Sequence, residues 1–387
     1  MKVGILGGGQ LGQMLARAAK DLGLEPLVLD PKPDAVAGRF ARHLRAEFDD
    51  AAALDELAAC DVVTYEFENV PSASVARLVD RVPVHPAPIA LATACDRWLE
   101  KSLFRELGIP TAAFRNVASA GDLERAVGEI GLPAILKTRR FGYDGKGQAV
   151  LRSEANVDAA WARLGQRGPL LLEELVPFDR ELSVLAVRDR DGRTQSWPLT
   201  ENRHVDGILH ISRAPAAAVS AALSSRARDW MDLLMARLDF VGVLVVELFQ
   251  VGEKLLANEM ACRVHNSGHW TIEGAQTSQF ENHLRAIAGL PLGPTEATGY
   301  SAMINLVGVV PDLETLEREP DVFVHVYGKS PAPGRKLGHV TLVAKDREAL
   351  EAKLQRALAR IGASESRRNE GPASGVHRAG SGRRDAG

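Results

Sequence analysis

Two glutamates, and the polar run that follows the second, carry the strongest chemical signal in the chain. Glu247 lies in the apolar stretch Val243 to Val251 (VLVVELFQV), and Glu259 in Leu255 to Trp270 (LLANEMACRVHNSGHW), with Gly252-Glu253-Lys254 between them. Two apolar runs joined by a short turn containing Gly read as a hairpin. With the turn centred on Glu253, Val251 faces Leu255, Phe249 faces Ala257 and Glu247 faces Glu259. Directly opposed residues have Cβ atoms about 4.5–5.5 Å apart, and like charges there repel. Either one carboxyl keeps its proton, or a divalent cation lies between the two. Mg²⁺ commonly takes one or two carboxylates plus phosphate oxygens. Arg263, His265, Asn266 and His269 follow at once. His265 and His269 have the i, i+4 spacing of zinc ligands on a helix, but Asn266-Ser267-Gly268 is turn chemistry and the H-E-x-x-H context is missing.

Anion-binding candidates come earlier in the chain. Lys137 ends an apolar strand, where a lysine needs an anionic partner. It is followed by Gly142-Tyr143-Asp144-Gly145-Lys146-Gly147-Gln148, whose freed backbone N–H groups suit phosphate oxygens and whose flexibility suits a lid. The same residues also suit a mobile hairpin tip, and the Walker A spacing is absent. Gly7, Gly9 and Gly12 match G-x-G-x-x-G, and Asp30 ends the next strand. That is either a dinucleotide fingerprint or a plain tight turn between strand and helix. Glu173-Glu174-Leu175-Val176 reads on its residues as a plain strand end, although backbone groups there could meet a purine edge. Lys329, Arg335 and Lys336 sit in KSPAPGRKLGH, either a solvated loop or a phosphate site.

The elements that must position these groups alternate. Strands at Lys2 to Leu6, Glu25 to Asp30, Asp61 to Tyr65 and Val82 to His85, with helices at Gln10 to Leu22 and Leu54 to Ala59, imply a parallel sheet covered by helices. One helical segment is expected from Ile89 to Leu107 and another from Ala217 to Leu238, with a short one at Asn282 to Leu290. Strands are expected at Leu132 to Lys137, Ala149 to Leu151, Leu170 to Val176, Glu181 to Val187 and Gln195 to Leu199. Three more, Ala302 to Val309, Val322 to Tyr327 and His339 to Ala344, belong to a small α/β piece. After Gly362 almost nothing is apolar, so that segment cannot offset its ordering entropy and should be disordered.

With 387 residues, 45% of them hydrophobic and 25% charged, the chain has room for two or three domains with real cores. The net charge of -3 gives no nucleic-acid footprint. Cys60, Cys95 and Cys262 are an odd, scattered set, which favours a reducing compartment over a disulfide framework. Neither a signal peptide nor a membrane-spanning run is visible, so a cytoplasmic protein is expected.

GGGQLG at the N-terminus, YEFENVP at Tyr65 to Pro71, FGYDGKGQ, NEMACRVHNSGHW and PGRKLGH together resemble the N5-carboxyaminoimidazole ribonucleotide synthases, the ATPase subunits of phosphoribosylaminoimidazole carboxylase within the ATP-grasp superfamily. The resemblance covers the chain to about Ile361. It implies an α/β ATP-grasp fold: a Rossmann-like, parallel-sheet pre-ATP-grasp domain over 1–88, the nucleotide-binding region over 89–295, a small C-terminal α/β domain over 296–361 and a tail over 362–387. It further implies ATP and Mg²⁺ as cofactors, 5-aminoimidazole ribonucleotide and bicarbonate as substrates, and a homodimer. Arg97 and Lys137 would contact ATP phosphates under the lid Gly142 to Gln148, with Asp144 and Lys146 helping to complete the site. Glu173, Glu174, Leu175 and Val176 would form the adenine-side hinge, and Glu181 would bind the ribose. His204 and Asn258 would complete the nucleotide site, and Glu247 and Glu259 would hold Mg²⁺. Arg263, His265 and Asn266 would face bicarbonate and the aminoimidazole. Lys329, Arg335 and Lys336 would take the ribotide phosphate beside Gln10 and Leu11.

Two positions depart from the pattern. Many ATP-grasp enzymes carry Asn two residues after the second Mg²⁺ carboxylate, where this chain has Ala261, and Cys262 stands where Pro is usual. Three rival readings stand beside it. One is another ligase forming an acyl phosphate, such as formate-dependent glycinamide ribonucleotide transformylase. Another is an NAD-dependent dehydrogenase using Gly7 to Gly12. The third is a catalytically silent nucleotide-binding module.

Overall fold

A computed structural model of the chain describes residues 1–142 and 146–369. Three sheets organise it. The first is parallel, in the order Arg42–Leu44, Glu25–Leu29, Lys2–Leu6, Val62–Tyr65. Lys2–Leu6 and Val62–Tyr65 are continuous apolar runs because both of their faces are covered. The stretch Val82 to His85 adds no strand, only a single bridge from Val84 to Val63. Pro83 and Pro86 lack the N–H that a longer ladder would need.

The expected helix from Ile89 to Leu107 is two helices, Pro88–Ala94 and Arg97–Glu106. Asp96 breaks it. Its backbone is extended, and its carboxylate accepts from Trp98 N–H as the N-cap of the second helix. The same carboxylate binds Arg139 and Arg140, at 2.6 and 3.1 Å. The base of the glycine-rich loop is thereby fastened to the helix that carries Arg97.

A four-stranded antiparallel sheet, in the order Phe114–Val117, Leu170–Glu174, Ala134–Thr138, Gln148–Leu151, supports that loop. The largest sheet has nine strands and is antiparallel throughout. Its order is Lys254–Ala261, Gly242–Val251, Arg180–Arg188, Thr200–Val205, Ile208–Ala214, Tyr300–Val307, Lys336–Ala344, Val322–Val326, with Thr194–Ser196 also paired to Arg180–Arg188. The hairpin Thr200–Val205/Ile208–Ala214 escaped sequence reading, because polar Glu201, Asn202, Arg203 and His204 mask its apolar side. The C-terminal strands join this sheet through Tyr300–Val307, so the groups they carry are fixed relative to the glutamate hairpin.

The parallel sheet and the large sheet share one apolar core. Leu6, Leu29 and Tyr65 pack in the same cluster as Leu182, Leu244 and Met260. His283, fully buried, ties the two sheets together: its Nδ1 accepts from Val243 N–H at 3.1 Å, and its Nε2 lies 2.9 Å from Thr64 Oγ1. The last helix, Arg347–Asn369, continues past Gly362, the point at which composition placed the end of the folded part. No Pro interrupts the chain between Gly362 and Pro372.

Candidate active site

The hairpin Gly242–Val251/Lys254–Ala261 does bring the two glutamates together, by a route the sequence did not reveal. The turn is Gly252-Glu253 alone, so Val251 pairs with Lys254 and Phe249 with Leu256, one residue off the expected register. Asn258 is then an extra residue. The ladder shifts between Leu248 and Glu247, and Glu247 pairs with Glu259 after all. Such a β-bulge lets two successive residues escape strict alternation. Asn258 and Glu259 accordingly both line the same cleft.

That cleft, of about 740 Å³, lies between the three sheets. Burial, and then the facing Glu259, push the Glu247 carboxyl up to about 7. Burial acts on Glu259 in the same direction, but Arg97, Lys137 and Lys101 outweigh it and hold that carboxyl below its usual value. Arg97 Nη2 lies 3.2 Å from Glu259 Oε2. The two opposed carboxylates are therefore unlike: Glu259 is held below its usual range and Glu247 well above it. Asn258 Oδ1 is buried without a hydrogen-bond partner beside them. Three oxygen donors without sulfur or nitrogen suit a hard cation such as Mg²⁺, whose remaining positions phosphate and water fill. Ala261 contributes no donor, and the bulged Asn258 supplies an amide oxygen nearby.

One end of the cleft suits a nucleotide. Lys137 Nζ lies 3.0 Å from Glu173 Oε2, at the end of its strand. Lys146 and Gln148 line the cleft from the glycine-rich loop, and Gly142 stands at its start. Gly147 has φ +74°, and a Cβ there would meet Thr138 Oγ1 at 2.6 Å, so the loop closes only with glycine. Tyr143, Asp144 and Gly145 lie outside the described residues. His204 Nδ1 is 2.8 Å from Glu181 Oε2. Burial pulls the imidazole down, but the Glu181 bond and the Glu247 charge prevail and hold it above its ordinary value.

Of the segment Glu173 to Val176, Leu175 alone lines the cleft. The Glu173 carboxylate turns inward, 2% exposed, and the N–H groups of Glu174 and Leu175 are taken by Ala113 and Pro133 carbonyls. The apolar wall beside Leu175 is instead Ile135, Phe178 and Phe249, with the two phenyl rings stacked 4.6 Å apart. Sequence reasoning missed these three. Phe249 was within reach, since it shares a strand face with Glu247.

The other end is built from the loop after Glu259 and from the C-terminal strands. Arg263 Nη2 lies 3.3 Å from Glu68 Oε1, and Glu68 itself was not foreseen. His265 Nδ1 accepts from Ser267 N–H at 3.3 Å, with Ser267 Oγ at 2.9 Å. A backbone N–H can only donate, so Nδ1 is the acceptor and the proton sits on Nε2, which points at Glu247 Oε1 3.5 Å away. Burial, then Arg263 and Lys336, hold this imidazole well below its usual pKa, hence neutral. Gln279, fully buried, grips both ends of His265: its Oε1 accepts from His265 N–H and its Nε2 donates to His265 O. Asn266 is clamped amide to amide by Asn305, at 2.6 and 3.1 Å. His269 is wholly buried near Gln279 and His339, away from the cleft. The two imidazoles thus face different surroundings, His265 the cleft and His269 the interior.

Lys329, Arg335 and Lys336 reach the cleft opposite Gln10 and Leu11, and Lys329 Nζ donates to Gln10 Oε1. Burial pulls the Lys329 ammonium down to about 8. The glycine turn behind them is already filled. Gly9 and Gly12 N–H donate to the two oxygens of Glu66 at 2.7 Å each, and Gly8 N–H donates to Asp30 Oδ2 at 2.8 Å. In a dinucleotide turn the pyrophosphate takes those amides and the acid takes the ribose. Here Glu66 holds the first place, and Asp30 is committed to Gly8 and Lys32. The dehydrogenase reading fails on that ground.

Comparison with known proteins identifies the family. Residues 1–95 match the ribonucleotide synthetase preATP-grasp domain, 102–280 the ATP-grasp domain, and 301–353 the phosphoribosylaminoimidazole carboxylase C-terminal domain. An N5-carboxyaminoimidazole ribonucleotide synthase of Pseudomonas aeruginosa is 52% identical over 355 residues, covering 92% of this chain and 98% of that protein. The Bacillus subtilis one is 39% identical, over 88% and 91%. The crystal structure of N5-carboxyaminoimidazole ribonucleotide synthetase from Thermus thermophilus superposes with a TM-score of 0.89 at 51% identity, over 93% and 98% of the two chains. A synthase from Aspergillus clavatus in complex with ADP and 5-aminoimidazole ribonucleotide superposes with 0.87 at 32% identity, over 94% and 98%. Similarity of this degree along nearly the whole length leaves one conclusion: the chain belongs to the N5-carboxyaminoimidazole ribonucleotide synthase family of ATP-grasp ligases.

Proposed function

We propose that this chain carboxylates 5-aminoimidazole ribonucleotide with ATP and bicarbonate, giving N5-carboxyaminoimidazole ribonucleotide, ADP and phosphate, in de novo purine biosynthesis. The observation that carries the reading is the opposed pair Glu247/Glu259, with Arg97 and Lys137 on one side and Arg263 and His265 on the other.

Adenine packs against Leu175, Ile135, Phe178 and Phe249, and Glu181 with His204 holds the ribose. Arg97, Lys137 and the loop from Gly142 to Gln148, Asp144 and Lys146 included, gather the phosphates. Glu247 and Glu259, with Asn258 beside them, would hold Mg²⁺. When bound, that ion supplies charge neutralisation on the transferring phosphoryl group. A bicarbonate oxygen bonds to the γ-phosphorus as its bond to ADP breaks, and Lys137 stabilises the charge on the equatorial oxygens. Closure of the loop keeps water from the carboxyphosphate. His265, neutral with its proton on Nε2, donates a hydrogen bond to the carboxyl oxygen, and Arg263 neutralises it. The exocyclic amine nitrogen then bonds to the carboxyl carbon, of carboxyphosphate or of CO₂ released from it; phosphate leaves and the amine loses a proton. Lys329, Arg335 and Lys336 receive the ribotide phosphate beside Gln10 and Leu11. Asn266, fixed by Asn305, shapes the loop between the two substrates.

A homodimer and a cytoplasmic setting complete the reading, the latter supported by three free cysteines. The test is ADP release. It should require bicarbonate and the ribotide together. Release driven by formate, or unaffected by the ribotide, refutes the proposal.

A further inference from the structure

Lys101 is 1% exposed and does not line the cleft, yet it lies directly behind it. It stands one helical turn after Arg97 on Arg97–Glu106, so one helix presents Arg97 to the cleft and buries Lys101. Its ammonium is 3.5 Å from Glu173 Oε2, the same oxygen that Lys137 approaches at 3.0 Å. It also donates to Thr111 Oγ1 at 3.0 Å, and that hydroxyl donates to Ala257 O in the glutamate hairpin at 2.7 Å. Glu173 Oε1 is buried with no hydrogen-bond partner. Both cations thus converge on one oxygen of a single carboxylate, and one positive charge is left over. Glu100, next on the same helix, does not take up the surplus: burial and Glu259 push its carboxyl well above the usual range, and it accepts from Met260 N–H.

We propose that Lys101 is a positioning residue that neutralises Glu173 from behind, so that the Lys137 charge stays free to meet a phosphate anion. Without Lys101, the bond that Lys137 already makes to the carboxylate at 3.0 Å becomes the only ion pair of Glu173 among the described residues, and the two charges cancel. A buried charge left with half its partners is costly, and coupling of this kind appears as non-additivity between the two sites. The inference rests on Lys137 facing the nucleotide phosphates.

The experiment is a double-variant cycle on the full chain: Lys101→Gln, which keeps a polar contact to Thr111 and removes only the charge, Glu173→Gln, and both together. MgATP binding is read by titration calorimetry, and KM for ATP and for the ribotide by ADP release. Lys101→Gln should weaken MgATP binding about tenfold or more and raise KM for ATP, leaving KM for the ribotide unchanged. The double variant should bind MgATP more tightly than Lys101→Gln, because no carboxylate then cancels Lys137, and should melt above Glu173→Gln, which leaves two cations without their shared anion. Additive losses, wild-type affinity in Lys101→Gln, or a double variant that does not fold each overturn the idea, because a lysine needed only for packing gains nothing from removal of Glu173. Calorimetry needs neither bicarbonate nor ribotide. An intact coupling in a protein whose ADP release ignores them would sink the proposed reaction and leave this inference standing.

Discussion

Glu247→Gln separates metal binding from folding in a single substitution. The Glu247 side chain is 19% exposed and sits opposite Glu259 in the hairpin. Its carboxyl is raised from 4.5 to about 7, first by burial and then by Glu259. A folded-state pKa above the unfolded value means that the folded chain binds the extra proton. The group therefore costs nothing at acid pH, and its cost grows as the pH rises from 4.5 to about 7 and is full above that. At about 1.4 kcal/mol for each factor of ten, the full cost is about 3 kcal/mol. Glutamine is close in shape and carries no charge. The variant without nucleotide should therefore melt several degrees above the wild type at pH 8, and most of that gain should vanish at pH 5. The same variant should lose turnover by at least about a thousandfold, because the cation loses one of its two carboxylates. Addition of MgADP should raise the wild-type melting temperature and barely move that of the variant. Paired melting curves at pH 5 and 8, with and without MgADP, give the full comparison. A variant that melts below the wild type at pH 8, or keeps near-normal turnover, would refute the argument that these carboxylates are held against each other for a cation.

Three further outcomes follow from other parts of the cleft. Lys329 loses its charge as the pH rises through about 8, so KM for the ribotide should climb above that pH, and Lys329→Met should have a high KM with no such climb. Phe178→Ala removes one ring of the stacked pair with Phe249, and should raise KM for ATP by a factor corresponding to about 1 kcal/mol while leaving KM for the ribotide alone. Ser267→Ala deletes the hydroxyl at His265 Nδ1, and its neighbour Ser183 loses a partner too. With the ring less firmly oriented, kcat should fall about tenfold at unchanged KM for ATP; an unchanged kcat would show that the backbone N–H of Ser267 suffices.

Much of this was legible along the chain because it is local. The alternation of strand and helix in the first 65 residues follows from apolar period, and Lys2–Leu6 and Gln10–Asp21 stand where that period puts them. The glutamate hairpin followed from two apolar runs and a turn, and the glycine-rich loop from its composition. Both glutamates, Lys137, Arg263 and His265 were therefore candidates before any fold was known.

What the linear order hid depends on contacts between distant segments. The hairpin register turned on a bulge at Asn258, which leaves both Asn258 and Glu259 lining the cleft. Glycines at 7, 9 and 12 fit a phosphate equally well until Glu66, far along the chain, is brought onto their amides. Glu173 read as part of a plain strand end, given an adenine-side place only by the resemblance; packing turned it inward to two lysines, one of which, Lys101, looked like any charge on a helix surface. Burial in a shared interior gives a charge its partners and sets its protonation, and burial is a property of the assembled sheets. The sequence by itself thus determined which chemical groups were available and in what local conformation; the tertiary structure alone decided which of them meet, in what charge state, and which face the substrates.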